Sequence, residues 1–527
     1  MDFPSDSAAS RRWLPRIVVD CPPRAALAIT LAVALAIRLY LSLTSYCIAG
    51  DGVAYLAMAR DFAAGAPTQA LDAVFSPLYP WLIAVAHLAV PGWEMAGNLV
   101  SAIAGTAAVA TIYALTRAAF ARDDLAIGAA ILAAIDPELA AYSASVRTEA
   151  GFILWMTAAA AVLVLGLRGG RLRLMAAAGA LGGIAYLYRT EGIGMLVFGT
   201  CFIVAGAPLW RRWTLGWAIR AAALFAAAFL LVASPYLIYL RVSQRHWSIG
   251  REFTAAMMYG MGEVAHNTQQ WQLRGYSTQA SPLAPLFEDP RLYMRKVAGD
   301  FLASLYGFAQ ALGPIAAVLL ALGWWSRGRA LMANFAEAML LLLTAFYVCG
   351  FSLSYTGTRF MVHLIPYTFG WIMLGLEALS GILAKGAARA RWIRYPASAP
   401  AVVLALAMLP QTLWPIGYDM RGIRYAGDEI ARRTARDPAG GRGAVVAADG
   451  RVAYYADARL ILLPAAAPPA GLCQWLGART DAGYLLIGDR DERRMGGGAG
   501  LPCLVPIARY PRYGAGFYDL FSIRRAG

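Results

Sequence analysis

Long apolar runs, separated by short charged segments, dominate the first 417 residues of the chain. A helix needs roughly 20 mostly apolar residues to cross a membrane. A further apolar stretch, at about residues 77–90, is shorter and bounded by prolines, which favours a re-entrant or interfacial segment. The pattern predicts eleven transmembrane helices, at about residues 25–47, 95–117, 125–141, 149–167, 173–188, 192–207, 219–240, 301–323, 331–351, 360–383 and 397–417.

The pattern changes beyond about residue 418, where short apolar runs of strand length alternate with helical ones. Two runs predict helices, Arg424–Ala435 and Gly471–Gly477. We therefore expect an all-α polytopic membrane domain at residues 25–417, followed by a small α/β domain at residues 418–527. The runs that predict strands are Gly443–Ala448, Leu460–Leu463, Tyr484–Gly488, Leu504–Ala508 and Phe517–Ile523.

The chain carries 46 basic and 31 acidic residues, a net charge of +15, and 59% of its residues are hydrophobic. Soluble domains are about 45–50% apolar, so this composition excludes a disordered chain and a single compact soluble domain. With the N-terminus inside, the short outer loops of the membrane domain hold only four arginines, Arg60, Arg147, Arg189 and Arg359. This bias follows the positive-inside rule. The basic residues therefore mark the cytoplasmic side, and the net positive charge is no evidence for nucleic-acid binding.

The same rule predicts where the remaining segments lie. Residues 1–24 form a cytoplasmic N-terminal segment, whereas the loops at 48–94 and 241–300 and the domain at 418–527 lie outside. Arginine far exceeds lysine and alanine is abundant, a composition typical of a high-GC bacterium. We therefore predict a multi-pass protein of the bacterial inner membrane, with a cytoplasmic N-terminus and a periplasmic C-terminal domain.

Asp51 follows the first predicted span directly, in segment 47–52. The next residues, Val53–Ala64, can form a helix on the membrane surface, and helical spacing puts Asp51, Tyr55 and Ala59 on one face. A carboxylate at this place could act as a general base at the membrane interface. The same position also suits a helix N-cap, for which Asp is favoured.

Several short motifs match those of a known superfamily, and with the layout of spans followed by a β-rich tail they cover most of the chain. They are Arg38 in the first span, Asp51 with Tyr55 and Ala59, Ser76-Pro77-Leu78-Tyr79-Pro80, Arg147-Thr148-Glu149, Tyr188-Arg189-Thr190-Glu191-Gly192 and Thr358-Arg359-Phe360. The chain thereby resembles the GT-C membrane glycosyltransferases, and within them the branch of the protein O-mannosyltransferases and the lipid A aminoarabinose transferase. Two positions differ: Gly52 stands where the family often has Glu, and Ser76 where it often has Pro.

The resemblance implies a glycosyltransferase of the inverting type, embedded among membrane lipids. Its donor would be a sugar on a polyprenyl phosphate, and its acceptor a lipid, glycan or protein at the outer face. Asp51 would be the general base that deprotonates the acceptor. The resemblance names no cofactor, and a divalent metal is compatible with it.

Three further acids are candidates for orienting the acceptor or holding a metal: Asp136, Glu138 and Glu149. For Asp136 and Glu149, the sequence leaves a structural alternative open. Asp136 precedes a proline, which is typical of a turn that ends a helix. Glu149 could pair with Arg147 or cap its own helix.

The leaving group in such a reaction is a phosphate, so an outer-facing arginine should stabilise its charge. Arg359 is the first candidate because it lies at the outer end of a predicted span; a snorkelling interfacial arginine is the alternative. Arg189 could bind phosphate similarly, unless Glu191 neutralises it. Arg38 lies inside the first span and is predicted to be the structural partner of an acid. The other residues given a structural role are Tyr55, Pro77 and Tyr79.

Two outer features have open interpretations. The loop at 241–300 holds His246, His266 and several aromatic residues, and it could close over the acceptor or form an amphipathic helix on the membrane. Cys473 and Cys503 share the outer domain and could form a disulfide or remain separate thiols.

The alternative function is that of a secondary transporter for a small solute or a lipid-linked substrate, because transporters also carry charged groups in their spans. Many transporters contain inverted repeats with interrupted helices at matching positions, and the sequence shows no such pairing. A non-catalytic membrane scaffold would not explain why acids cluster at the outer ends of the spans.

Overall fold

The computed structural model describes residues 22–265, 284–386, 398–436, 443–463, 471–489, 501–512, 514 and 516–524. The described α-helices of the part before residue 417 are α1 (Pro23–Thr44), α2 (Gly50–Ala63), α3 (Pro67–Ala70), α4 (Leu78–His87), α5 (Trp93–Phe120), α6 (Asp123–Ile135), α7 (Pro137–Tyr142), α8 (Glu149–Gly169), α9 (Leu172–Tyr188), α10 (Ile193–Trp210), α11 (Leu215–Gln244), α12 (Arg251–Val264), α13 (Ala284–Glu288), α14 (Pro290–Leu312), α15 (Pro314–Arg327), α16 (Ala330–Ala333), α17 (Phe335–Leu353), α18 (Thr358–Met361), α19 (Phe369–Gly386) and α20 (Ser398–Thr412).

Six of the helices in the described ranges are long and apolar enough to cross a membrane, or up to eight spans if each of two bent pairs counts as one. The mostly helical, polytopic architecture is therefore confirmed. The predicted number of eleven spans stays a prediction, because α9 and α20 are apolar but shorter. The stretch predicted to be interfacial is the ten-residue helix α4.

Three of the predicted spans are broken in the structure, and a proline lies at each break. The predicted span 301–323 is divided between α14 and α15, which meet at an angle of 104°. Gly313 lies between them with φ +76°, and Pro314 begins α15. Hydropathy does not register these breaks, because proline removes a hydrogen-bond donor without making the segment polar.

A second bend of 68° lies in the predicted span 360–383. There the 3₁₀-helix Val362–Tyr367, which contains Pro366, separates α18 from α19. In the predicted span 125–141, α6 ends and α7 begins at Asp136, as the Asp-Pro turn interpretation expects.

Glycines let neighbouring membrane helices approach closely. A Cβ atom on Gly179 in α9 would clash with the backbone carbonyl of Phe225 in α11. One on Gly375 in α19 would meet the backbone of Leu319 in α15 in the same way. Small residues at helix contacts favour this dense packing in membranes, where burial of apolar surface drives little association.

The region beyond residue 417 contains a five-stranded sheet, and the five predicted strands are confirmed to within a few residues. In the sheet order β2-β1-β3-β5-β4, β1 pairs in parallel with β2 and β3, and β5 pairs antiparallel with β3 and β4. Cys473 and Cys503 form a disulfide. The elements are α21 (Arg421–Arg436), β1 (Ala444–Ala447), α22 (Arg451–Tyr455), β2 (Leu460–Leu462), α23 (Leu472–Gly477), β3 (Ala482–Gly488), β4 (Leu504–Pro511) and β5 (Phe517–Ile523).

Candidate active site

Asp51 lies in the first turn of α2, and its side chain is 38% exposed. Ala49, not Asp51, occupies the N-cap position, so the capping interpretation of Asp51 is wrong. The carboxylate instead meets the guanidinium of Arg359, with 2.6 Å between Asp51 Oδ2 and Arg359 Nη1. The helix N-terminus favours a negative charge at this place.

Arg359 connects Asp51 to a second carboxylate. Its Nε donates to Glu149 Oε1 at the start of α8, while its Nη1 donates to Asp51. Glu149 is almost fully buried, whereas 30% of the Arg359 side chain is exposed. Glu149 therefore binds Arg359 from the buried side, and part of the Arg359 side chain is accessible from the opposite side.

Arg189 lies behind Glu149 and is enclosed by polar groups. Its Nη1 lies 3.4 Å from Glu149 Oε1 and 3.2 Å from Thr148 Oγ1. Its Nη2 lies 2.5 Å from Glu191 Oε1 and 3.9 Å from Glu252 Oε1. Only 8% of the side chain is exposed. Arg189 therefore neutralises buried carboxylates, as considered above for its pairing with Glu191. Phosphate binding by Arg189 stays a prediction.

Glu252 brings the loop after α11 into the site. It belongs to α12 and accepts a hydrogen bond from Thr190 Oγ1 at 3.2 Å. Burial raises the pKa of Glu252 to about 7, and the charge of Glu191 adds to this effect. Sequence reasoning gave Glu252 no role, because it lies about 60 residues beyond Glu191 with no motif joining them. The predicted His266 lies outside the described residues.

The cluster has an acidic excess. Within the contacts above, the carboxylates of Asp51, Glu149, Glu191 and Glu252 share two guanidinium groups. The buried members neutralise one another, while Asp51, Arg359 and Glu252 keep partly exposed polar atoms. The arrangement can therefore accept a proton, through a carboxylate, and bind an anion, through Arg359, at adjacent positions.

Two of the predicted acids have other contacts. Asp136 is buried and accepts a hydrogen bond from the backbone N–H of Leu139 at 2.9 Å, so it caps α7. Glu138, in the first turn of α7, is half-buried. The described contacts of Asp136 do not include the cluster, and its predicted role toward the acceptor or a metal stays a prediction. Among the described residues, no group of three or more His, Cys, Asp or Glu side chains is arranged to hold a metal ion.

Arg38 is buried in α1, as its depth in the span predicts. Its Nη1 donates to the carbonyl oxygens of Ala34 at 3.1 Å and Ala134 at 3.0 Å. Among the described residues it forms no salt bridge within 4 Å, but the charge of Asp136, which directly follows α6, attracts it over a longer distance, as the predicted pairing with an acid expects. A cation at a helix C-terminus is favoured by the helix dipole.

The proline-containing motif at residues 76–80 packs against α2. Pro77 is the N-cap residue of α4. Tyr79 is buried, and its hydroxyl lies 2.8 Å from Ser101 Oγ. The Tyr55 ring packs edge-to-face on Tyr79 with 5.4 Å between ring centroids. These contacts fix the helix that carries Asp51, which is a structural role.

Comparisons with known proteins bear on the fold and the family of the chain. Residues 74–239 match the family model described as dolichyl-phosphate-mannose-protein mannosyltransferase. The fold is similar to that of ArnT from Cupriavidus metallidurans bound to undecaprenyl phosphate, with 15% identity, a TM-score of 0.60, and 94% of this chain and 97% of that chain covered. The predicted resemblance to the GT-C membrane glycosyltransferases is confirmed.

Other structures give the same fold or a more distant one. ArnT from Cupriavidus metallidurans in the apo state has 15% identity and a TM-score of 0.59, and 94% of this chain and 97% of that chain are covered. The arabinofuranosyltransferase AftD from Mycobacteria has 14% identity and a TM-score of 0.43, and 97% of this chain but 42% of that chain is covered. No match to this chain was found among curated proteins. The chain is therefore a multi-pass membrane protein with the ArnT fold.

Proposed function

We propose that this protein is a membrane glycosyltransferase that moves a sugar from a polyprenyl-phosphate donor to a lipid, glycan or protein acceptor at the outer face of the membrane. The family match over residues 74–239 and the similarity to an ArnT bound to undecaprenyl phosphate support this assignment. The observation that carries it is the contact of Asp51 with Arg359, which joins a candidate base to a candidate phosphate ligand.

Asp51 would act as the general base. The acceptor hydroxyl or amine would hydrogen-bond to the exposed part of its carboxylate, and the carboxylate would take the proton as the acceptor attacks the anomeric carbon. The bond from that carbon to the phosphate oxygen would break in the same displacement, which inverts the configuration. A single carboxylate is enough for this chemistry, which fits the presence of Gly52 after Asp51.

Arg359 would couple donor binding to release of the base. Without donor, its Nη1 is engaged by Asp51, so an acceptor has to compete with this ion pair for the carboxylate. A donor phosphate would compete for the same guanidinium face, because charge-assisted bonds from arginine to phosphate are strong and can be bidentate. Glu149 would keep the other edge of Arg359 in place during this exchange.

The partly exposed side chain of Glu252 would face the sugar or the acceptor. Carboxylates accept hydrogen bonds from hydroxyl and ammonium groups, so this residue suits recognition of a polar, hydrogen-bond-donating ligand. Glu149, rather than Asp136 or Glu138, would orient the catalytic pair.

The test is transfer by the purified protein in liposomes that contain a radiolabelled polyprenyl-phosphate sugar. We expect transfer to an acceptor or release of the sugar, and we expect Asp51→Asn to lower kcat by roughly 100- to 10,000-fold, the usual contribution of a general base. Asp61→Asn is the matched control, because it makes the same change near the C-terminal end of α2, and the variant should keep its activity. Full activity of Asp51→Asn would refute the catalytic assignment, and solute uptake without sugar transfer would favour the transporter.

A further inference from the structure

The outer domain contacts the short segment that leads to Asp51. Tyr455 lies at the end of α22, and its hydroxyl accepts a hydrogen bond from the backbone N–H of Ile48 at 2.7 Å. Ile48 stands three residues before Asp51, between the end of α1 and the start of α2. A side chain from the C-terminal region therefore accepts the hydrogen bond of the Ile48 N–H, which lies outside both helices.

Tyr455 is itself held from two directions. Its hydroxyl lies 3.4 Å from Glu94 Oε1 in the first turn of α5, to which it donates while it accepts from Ile48. The guanidinium of Arg424 in α21 lies 5.2 Å from the centroid of its ring, a cation–π arrangement. The same arginine donates to the carbonyl oxygen of Tyr46 at 3.4 Å.

The residue before Ile48 is built into the outer domain. Cys47 is buried, and it packs in the same apolar cluster as Ile423, Ala426 and Val452. On the other side, a Cβ atom at Gly417 would lie only 2.9 Å from the backbone nitrogen and oxygen of Cys47. Segment 46–48 is therefore packed between Gly417, at the end of the membrane domain, and the apolar cluster of the C-terminal domain.

Ile48 transmits its position to the first turn of α2. Its side chain is buried and clusters with Tyr55 and Leu56. A Cβ atom at Gly52 would lie 2.8 Å from Ile48 Cγ1, so there is no free space between Ile48 and this turn. Because well-packed groups move together, a shift of Ile48 would shift Asp51 relative to Arg359.

We infer that Tyr455 is a positioning residue for Asp51: through its hydrogen bond to Ile48, the outer domain sets the place of the catalytic carboxylate. The inference rests on the proposed function of Asp51. Catalytic groups must be held within a fraction of an ångström, so the loss of one supporting contact reduces turnover more than substrate binding.

Tyr455→Phe tests the inference, because phenylalanine keeps the packing and the ring beneath Arg424 and removes only the hydroxyl. The variant also loses the longer bond to Glu94, but that residue lies in α5 and not in the segment that leads to Asp51. We expect kcat to fall roughly 3- to 10-fold, the equivalent of the one hydrogen bond from Ile48, with the KM for the donor within about twofold. Tyr454→Phe is the matched control, since the Tyr454 hydroxyl has no hydrogen-bond partner among the described residues. An unchanged kcat for Tyr455→Phe in a preparation whose wild-type form is active would overturn the inference.

Hydrogen exchange of the Ile48 amide gives a readout that needs no activity. We expect this amide to exchange roughly tenfold faster in Tyr455→Phe than in the wild type, and at the wild-type rate in Tyr454→Phe. Unchanged exchange in Tyr455→Phe would overturn the inference whether or not the protein transfers a sugar. Failure of the proposed function shows instead in the wild type, as absence of transfer.

Discussion

The guanidinium of Arg359 lies 2.6 Å from the carboxylate of Asp51, although 308 residues separate them in the chain. Both side chains are about one-third exposed, and ion pairs of this kind contribute only about 0–1 kcal/mol. The contact is therefore weak enough to be exchanged for a phosphate. In the absence of substrates it would keep the carboxylate and the guanidinium in position, and it could still break when a substrate binds.

Arg359→Lys should weaken donor binding. Lysine keeps the charge but loses the planar fork that lets arginine bind Glu149, Asp51 and a phosphate from defined directions. We expect the KM for the polyprenyl-phosphate donor to rise roughly tenfold, the equivalent of about 1.4 kcal/mol, together with a lower kcat. Steady-state kinetics with varied donor measure this. Arg479→Lys, in the outer domain, should leave both constants unchanged, and an unaltered donor KM for Arg359→Lys would exclude Arg359 as the phosphate ligand.

Glu149→Gln should destabilise the protein. Glu149 is 5% exposed and accepts hydrogen bonds from both Arg359 and Arg189, so its neutralisation weakens two buried contacts although the remaining carboxylates still balance the two arginines. The loss of a hydrogen bond to a charged group costs about 1.5–3 kcal/mol. Thermal unfolding in detergent should show a clearly lowered midpoint.

The control for this measurement is Glu429→Gln in α21. Glu429 pairs with Arg432 and Arg433, whose side chains are largely exposed, so the loss should be about 0–1 kcal/mol. Equal midpoints for Glu149→Gln and Glu429→Gln would mean that the arginines of the cluster are not held by Glu149.

Glu252→Gln should change the pH dependence of stability. The pKa of Glu252 is raised to about 7 in the folded protein by burial and by Glu191, whereas a free glutamate has a pKa of about 4.3. A carboxyl group with a raised pKa favours the folded state less as the pH rises from about 4.3 through 7. Glu252→Gln should therefore raise the unfolding midpoint, relative to that of the wild type, much more at pH 8 than at pH 5.

Three residues that face Glu252 lie at positions 189–191, between α9 and α10: Arg189, Thr190 and Glu191. Asp51 in α2 adds a further negative charge. Glu263→Gln in α12 is a suitable control, because Glu263 is exposed on the same helix. Its offset from the wild type should be the same at both pH values. A constant offset for Glu252→Gln as well would show that Glu252 does not titrate in this range.

A reporter enzyme fused after Tyr418 should report the outer side of the membrane. The positive-inside bias predicts this orientation, and the disulfide between Cys473 and Cys503 is typical of an oxidising compartment. A reporter that is active only in the cytoplasm, fused at the same position, should give no signal. A cytoplasmic signal there would overturn the predicted topology and the outer location of the site.

Hydropathy predicted most membrane helices because each apolar run is continuous in sequence. It did not predict the breaks at Gly313–Pro314 and within Val362–Tyr367, since these depend on backbone geometry and not on polarity. The strands of the C-terminal region were predictable because their apolar runs are short and flanked by turn residues. The five-residue helix α22 was missed, because one turn and a half leaves no periodic signal.

The candidate site was predictable where a motif marks it. Asp51, Glu149, Arg189 and Arg359 were each singled out from the sequence, and the structure brings them into one connected cluster. Arg359 was named before Arg189 because of its place at the end of a predicted span, and its side chain is 30% exposed against 8% for Arg189. Glu252 and Tyr455 could not be found from spacing, since each reaches the site through tertiary packing over long sequence separation.

The burial of Cys47 in the apolar core of the outer domain bears on how the chain can be shortened. A truncation that ends near residue 417 follows the boundary seen in the sequence, yet it would strip Cys47 of its apolar cover and Ile48 of its acceptor. Such a fragment could retain its membrane helices and still lack the fixed start of α2. Isolated membrane domains of this protein are therefore poor starting material for inhibitor screening, because the surface they present near Asp51 would differ from that of the whole protein.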